Sequence, residues 1–323
     1  MKALVVGAGA VGAVYGRHLA LGGAELTFFV RERRRAEVRA GLTFYPLNYG
    51  RSPFPFTQYG VAATVEEVAA EAWDQVWLAV SATGLRGEWL APFVAALPPA
   101  ATVVALQPGL ATLDVLAAAG CPAERVVQGL IALISYQAPL RGEELPRPGI
   151  AYWLPPLSPS PFSSPVGDAA RVAAVTAALK AGGCPAKAVD DAGVQAAFGS
   201  AVLMPHLAAL ELEGWSLRAL RRSSRLRLAG AAAREALTVV QAELGRDPGV
   251  ALRAASQSWI LRPILCAAPK LMPLPLERYL QYHFTKVGDQ TRFMLGEYVA
   301  RGQAHGVPTE ALAALTAALP PLE

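Results

Sequence analysis

A chain of 323 residues, 53% hydrophobic and 17% charged, exceeds the usual single-domain size and is too apolar to be disordered, so two domains are expected. Its formal charge of +4 is spread through the chain, which argues against a nucleic-acid partner. No uncharged apolar run reaches the roughly 20 residues of a membrane-spanning helix, because Pro205 and His206 interrupt the longest candidate, 196–210, so no membrane partner is expected and that run reads as a buried helix.

From the first residues, short apolar runs alternate with Ala-rich stretches of helical period, the pattern of a parallel sheet covered by helices. Strands are predicted at 3–6, 25–30, 75–80, 102–106 and 125–135, with helices at 11–21, 65–72, 89–97 and 111–119 between them. The Pro- and Ser-rich passage 154–165 reads as loop or edge structure. A helix at 168–181 and a short strand at 186–189 close this part. Beyond residue 190 the pattern is helical throughout. The fold class is therefore α/β: an N-terminal domain of Rossmann type, 1–189, followed by an all-helical C-terminal domain, 190–323.

The run Gly7-Ala8-Gly9-Ala10-Val11-Gly12 sets GxGxxG between a strand and a helix, the context that gives this common pattern meaning. Gly7 permits a tight turn, Gly9 lets backbone approach a pyrophosphate, and Gly12 lets the helix pack on the strand. The helix that begins near Ala10 offers free N–H groups to a phosphate. At the end of the second strand Arg31 stands where an NAD-binding domain presents an acid to the ribose 2′-hydroxyl. A guanidinium there can pair with the 2′-phosphate of NADP(H), which is the expected cofactor. Arg33, Arg34 and Arg35 either add to this charge or form a solvated helix start.

Cys121, Cys184 and Cys266 form no CxxC, and the four histidines have no ligand spacing, so neither a disulfide framework nor a metal site is expected. A strand directly after Met1 and Lys2, with no secretory leader pattern, points to the cytoplasm.

With these residues the chain resembles the ketopantoate reductase family, whose members reduce a small 2-oxo acid with NADPH. The likeness includes Gln107-Pro108-Gly109-Leu110 with Val115-Leu116, Arg125-Val126-Val127-Gln128-Gly129 and Ala304-His305-Gly306-Val307-Pro308-Thr309. It implies a Rossmann domain followed by a helical domain, with substrate in the cleft between them. It also implies cofactor contacts from Ser81, Gln107 and Pro108 beside the glycine segment. Several family positions carry other residues here. The catalytic lysine falls on Ala196, the asparagines of its helical face on Ser200 and Met204, and a later one on Glu213. The asparagine between nicotinamide and substrate is Pro108, which has no polar group. A lysine after the third strand is Thr83, a cofactor-facing glutamate is Gln290, and a substrate-binding serine is Arg278.

Reduction of a carbonyl needs a donor or cation at the oxygen, where negative charge builds. Positions 196, 200, 203, 204, 207 and 211 share one helical face that reads Ala, Ser, Leu, Met, Leu, Glu. Ser200 could hydrogen-bond a substrate there, or pack against backbone. Glu211 and Glu213 could act as acids only if burial raised their pKa. Arg278 could hold a carboxylate with two hydrogen bonds, with Tyr282 one turn along. Ser200 and Arg278 are the catalytic candidates. The Arg-rich stretch 218–227 reads as a solvated amphipathic face, or one that meets an acidic partner.

The reading reached is an NADP-dependent oxidoreductase that reduces a small, 2-oxo acid-like carbonyl substrate other than ketopantoate. Its alternatives are a genuine 2-dehydropantoate 2-reductase with displaced catalytic groups, and a non-catalytic NADP(H)-binding sensor or scaffold. The assembly admits a homodimer.

Overall fold

The computed structural model describes residues 1–48 and 50–322. The chain divides into two compact units, Met1–Gly193 and Val194–Glu323.

In the first unit β1 (Lys2–Val6) leads into α1 (Ala10–Leu21), and β2 (Glu25–Phe29) into α2 (Glu32–Arg39). Three short strands follow, β3 (Leu42–Pro46), β4 (Phe54–Phe56) and β5 (Gly60–Ala62). Then come α3 (Val65–Ala69), β6 (Gln75–Leu78), α4 (Ala82–Leu85), α5 (Leu90–Ala95), β7 (Thr102–Ala105) and α6 (Thr112–Ala118). The unit closes with β8 (Val126–Gly129), β9 (Ile134–Ala138), β10 (Gly149–Trp153), β11 (Ser160–Ser163), α7 (Ala169–Ala181) and β12 (Ala186–Ala188).

The main sheet has the order β12-β11-β8-β7-β6-β1-β2-β5. From β5 to β8 every pairing is parallel. Ala3, Leu4, Val5 and Val6 of β1 are all buried, as a central parallel strand with helices on both faces requires. From β1 the chain runs outward through β2 to β5, then returns to lay β6 on the other side of β1. The order therefore reverses between β1 and β6, where the carboxyl ends of the strands leave the crevice used by ligands of such sheets.

A second sheet, β4-β3-β10-β9, packs on α1 through Arg17, whose guanidinium lies 4.2 Å from the Phe54 ring centroid and donates to Tyr152 Oη at 3.2 Å. Two sequence expectations change here. The single strand predicted at 125–135 is two, β8 in the main sheet and β9 in the second, because the chain leaves one sheet for the other between Gly129 and Ile134. The passage expected to be loop or edge holds β11, an internal strand paired antiparallel to β8 and parallel to β12. Pro161 lacks an N–H to donate, but its carbonyl accepts from Leu130 N at 3.0 Å.

The second unit is helical: α8 (Ala192–Leu212), α9 (Leu217–Arg222), α10 (Arg225–Leu244), α11 (Gly249–Ala255), α12 (Ser258–Leu271), α13 (Leu276–Lys286), α14 (Gly288–Ala304) and α15 (Glu310–Ala318). Pro205 does not break α8, which runs through it for 21 residues. By length and composition α8 is the one described helix able to cross a membrane, and 61% of its most apolar window is buried.

Candidate functional site

The site starts with a turn that only glycine makes easily. Gly7, just past β1, has φ +97°, and its N–H donates to Phe29 O at 2.9 Å. A side chain at Gly12 would strike the Gly7 carbonyl oxygen and lie 2.9 Å from Ala79 Cβ and 3.2 Å from Val5 Cγ1. The glycine therefore lets α1 sit down on β1 and β6. Gly9 is the N-cap of α1 and supplies no side-chain cap, so the N–H groups of Ala10, Val11 and Gly12 have no helical acceptor. Nothing lies within 4 Å of a Cβ built at Gly9. An open cradle over uncapped amides at the positive end of a 12-residue helix fits a pyrophosphate.

The basic residues sort into two groups. Arg35 is clamped by Glu67 through two hydrogen bonds of 2.8 and 2.7 Å, and by Glu32 at 3.0 Å. Arg34 pairs with Glu37. The Glu67 carboxylate also closes a capping box with Thr64 at the start of α3. It is held below the usual carboxylate range, chiefly by the Ala63 N–H and further by Arg35. Arg31, the N-cap of α2, is exposed. Among the described residues its guanidinium, like that of Arg33, has no hydrogen-bond or ion-pair partner. The two arginines left available thus stand at the end of β2, next to the glycine turn.

The other expected cofactor contacts have local engagements. Ser81 caps α4, accepting from Gly84 N at 3.0 Å and meeting Thr83 Oγ1 at 3.0 Å. Gln107 is buried, and its Nε2 donates to Leu78 O at 2.8 Å and Val80 O at 2.9 Å, tying the ends of β6 and β7 together. Its Oε1 is buried without a partner among the described residues. Pro108, which follows it, is half-buried.

In the second unit Ala196, Ser200, Met204 and Leu207 are buried, whereas Leu203 is 46% exposed. The Ser200 hydroxyl has no hydrogen-bond partner among the described residues. His206 Nδ1 lies 2.7 Å from Val202 O, and burial lowers its pKa. Glu211 is held by Arg292 at 2.7 and 3.3 Å. Glu213 is held below the usual range by Ser223 and Arg225, the opposite of what a general acid needs. Arg278 is exposed on α13, with Tyr282 one turn further. No cluster of His, Cys, Asp or Glu able to hold a metal exists among the described residues.

Sequence reasoning missed the role of Glu67, which removes Arg35 from the cation set. The Thr64-x-x-Glu67 capping signature was the available signal.

The ketopantoate reductase PanE/ApbA family model matches residues 3–140. No curated protein sequence matches the chain. Among solved structures, the ternary complex of D-mandelate dehydrogenase with NADH and anilino(oxo)acetate is 17% identical, with a TM-score of 0.77 over 98% of this chain and 96% of that one. The 2-dehydropantoate 2-reductase of Geobacter metallireducens GS-15 is 16% identical, with a TM-score of 0.71 over 99% of each chain. A dimeric ketopantoate reductase from Staphylococcus aureus is 14% identical, with a TM-score of 0.66 over 98% of this chain and 96% of that one. At such identities the likeness to these structures is one of fold.

Proposed function

We propose, from the premise that residues 3–140 are a domain of the ketopantoate reductase PanE/ApbA family, that the protein is an NADPH-dependent reductase of a small 2-oxo acid-like carbonyl substrate. The observation that carries this reading is the uncapped N-terminus of α1 beside an unpaired Arg31. A neighbour of the same fold holds NADH, so the fold alone does not choose between the two cofactors. Arg31 supports NADPH, because a guanidinium attracts a 2′-phosphate that a carboxylate would repel. The backbone N–H groups of Ala10, Val11 and Gly12 would hold the pyrophosphate.

A bound nicotinamide cofactor supplies the hydride for a carbonyl carbon. The chain must supply binding and a partner for the developing oxyanion. Ala196 and Pro108 offer no polar side chain for that task. Ser200 and Arg278 remain the candidates, the hydroxyl as a hydrogen-bond donor and the guanidinium as a carboxylate clamp. The loss of the family's polar residues at these positions favours a substrate other than ketopantoate. The dimeric relative supports a homodimer, which light scattering would measure.

The deciding experiment is NADPH oxidation against a panel of 2-oxo acids and other carbonyls, with Arg31→Glu as the cofactor control. Turnover of a carbonyl other than ketopantoate is expected, with NADPH affinity falling about 10- to 100-fold in Arg31→Glu, as loss of charge-assisted bonds predicts. Ordinary turnover of ketopantoate would establish displaced catalytic groups instead. Tight NADPH binding without turnover across the panel would establish a sensor or scaffold.

A further inference from the structure

The second unit carries a basic hollow that the reductase reading does not use. It is a shallow, open hollow of about 650 Å³ where the end of α9 meets α12, and most of its lining residues are exposed. Arg221 and Arg222 from α9, with Arg262 and Lys270 from α12, line it together. Pro263 and Ala267 contribute apolar surface, and Cys266 contributes a free thiol.

The lining, rather than unpaired charge alone, sets this hollow apart, because it gathers four cations at one place. Elsewhere in the unit Arg225, Arg253, Arg292 and Arg301 each meet a carboxylate, while Arg218, Arg227, Arg246, Arg278 and Lys286 are scattered outside the hollow. Among the described residues none of the four hollow cations meets a carboxylate. Neither α9 nor α12 contains an acidic residue. Four cations converging without a counter-charge repel one another, and an anion bound between them relieves that repulsion. Guanidinium forks match phosphoryl oxygens bidentately, whereas lysine adds a point charge. Apolar surface beside them suits an organic body.

We infer that this hollow is a binding site for a small organic molecule carrying a diphosphate group, separate from the dinucleotide cradle of the first unit and independent of the reductase reading. Arg221, Arg222, Arg262 and Lys270 hold the phosphoryl oxygens, and the organic part lies against Pro263 and Ala267.

Cys266 gives a local readout, because it is exposed while Cys121 and Cys184 are buried. The probes are inorganic pyrophosphate and adenosine diphosphate, and the measurement is the rate of Cys266 alkylation by neutral iodoacetamide, followed by mass spectrometry at fixed ionic strength. Each probe is expected to slow alkylation at least five-fold at millimolar concentration, in the natural sequence and in Arg31→Glu alike. Protection should vanish in the double variant Arg221→Gln/Arg262→Gln, whose melting temperature is checked against the parent. A larger effect of adenosine diphosphate assigns a contribution to the apolar surface, and equal effects assign recognition to the diphosphate alone. An unchanged rate with both probes, equal protection by sulfate, or protection that survives the double variant would overturn the site. Protection by a single-stranded oligonucleotide but by neither small probe would overturn it in favour of a nucleic-acid surface.

Discussion

Gly9, the N-cap of α1, and Gly12, in its first turn, are three residues apart, yet the two glycines serve different purposes. At Gly12 an added methyl has no room, since Gly7 O, Ala79 and Val5 enclose it. At Gly9 the same methyl meets nothing within 4 Å, so only an approaching ligand would find it. Gly12→Ala is therefore expected to lower stability by about 1–3 kcal/mol through overpacking, and to weaken NADPH binding by shifting α1. Gly9→Ala should leave stability nearly unchanged while weakening NADPH binding about ten-fold, close to 1.4 kcal/mol. Urea unfolding and NADPH fluorescence titration of the pair measure both quantities. An equal stability loss at the two positions would mean that the loop is shaped by protein packing alone. In the proposed reading Arg31 meets the 2′-phosphate of the same ligand. The two-bond clamp on Arg35 keeps the Glu67 carboxylate occupied.

The second sheet depends on one buried carboxylate at its rim. Glu143, whose side chain is 7% exposed, accepts from Tyr136 Oη at 3.0 Å, Leu140 N at 2.8 Å and Arg51 Nη1 at 3.2 Å. Glu143→Ala leaves a buried N–H and a buried hydroxyl without their acceptor, and is expected to cost about 2–4 kcal/mol. Glu143→Gln keeps one acceptor oxygen and should cost less than half of that; guanidinium unfolding would rank the two, and equal losses would show that packing rather than hydrogen bonding holds this corner. This sheet was also the least legible part of the chain. β1, β2, β6 and β7 were visible because a parallel strand buried on both faces is a continuous apolar run. β3 and β4 hold three to five residues each and include Pro46 and Pro55. β4 pairs with β3, and the pairing of β3 with β10 is non-local: Phe44 lies opposite Ile150. No local period announces such a contact. The glycine turn could be read directly, because its geometry is carried by neighbours in sequence. Arg34 meets Glu37 within α2 itself, whereas the two bonds from Arg35 to Glu67 of α3 join residues 32 apart, which only the folded chain establishes.

Across the whole molecule, histidines whose pKa is lowered by burial are expected to contribute to the response to acid. His18 is 4% exposed, with Nδ1 2.7 Å from Gly182 O, and burial pushes its pKa down to about 4. Burial lowers His283 to about 4 and shifts His206 in the same direction. A histidine depressed in the folded state binds its proton more readily when unfolded. Between the unfolded pKa near 6.5 and the folded value, the unfolded chain therefore holds more protons, and stability rises with pH. The contribution is fully present above about pH 6.5 and is lost progressively as pH falls toward 4. For His18, acidification from pH 7 to pH 5 should remove about 1–2 kcal/mol by this linkage. Glu67, Glu213 and Asp247, depressed carboxylates, lose their contribution only at lower pH, below their unfolded values near 4. The two groups separate by pH window. His18→Asn retains a donor toward Gly182 O but cannot titrate. It is expected to be less stable than the parent at pH 7 and to show a flatter loss between pH 7 and pH 5. Urea midpoints at the two pH values measure the difference, and parallel losses in parent and variant would assign the acid sensitivity to His206, His283 or the carboxylates instead of to the α1 histidine.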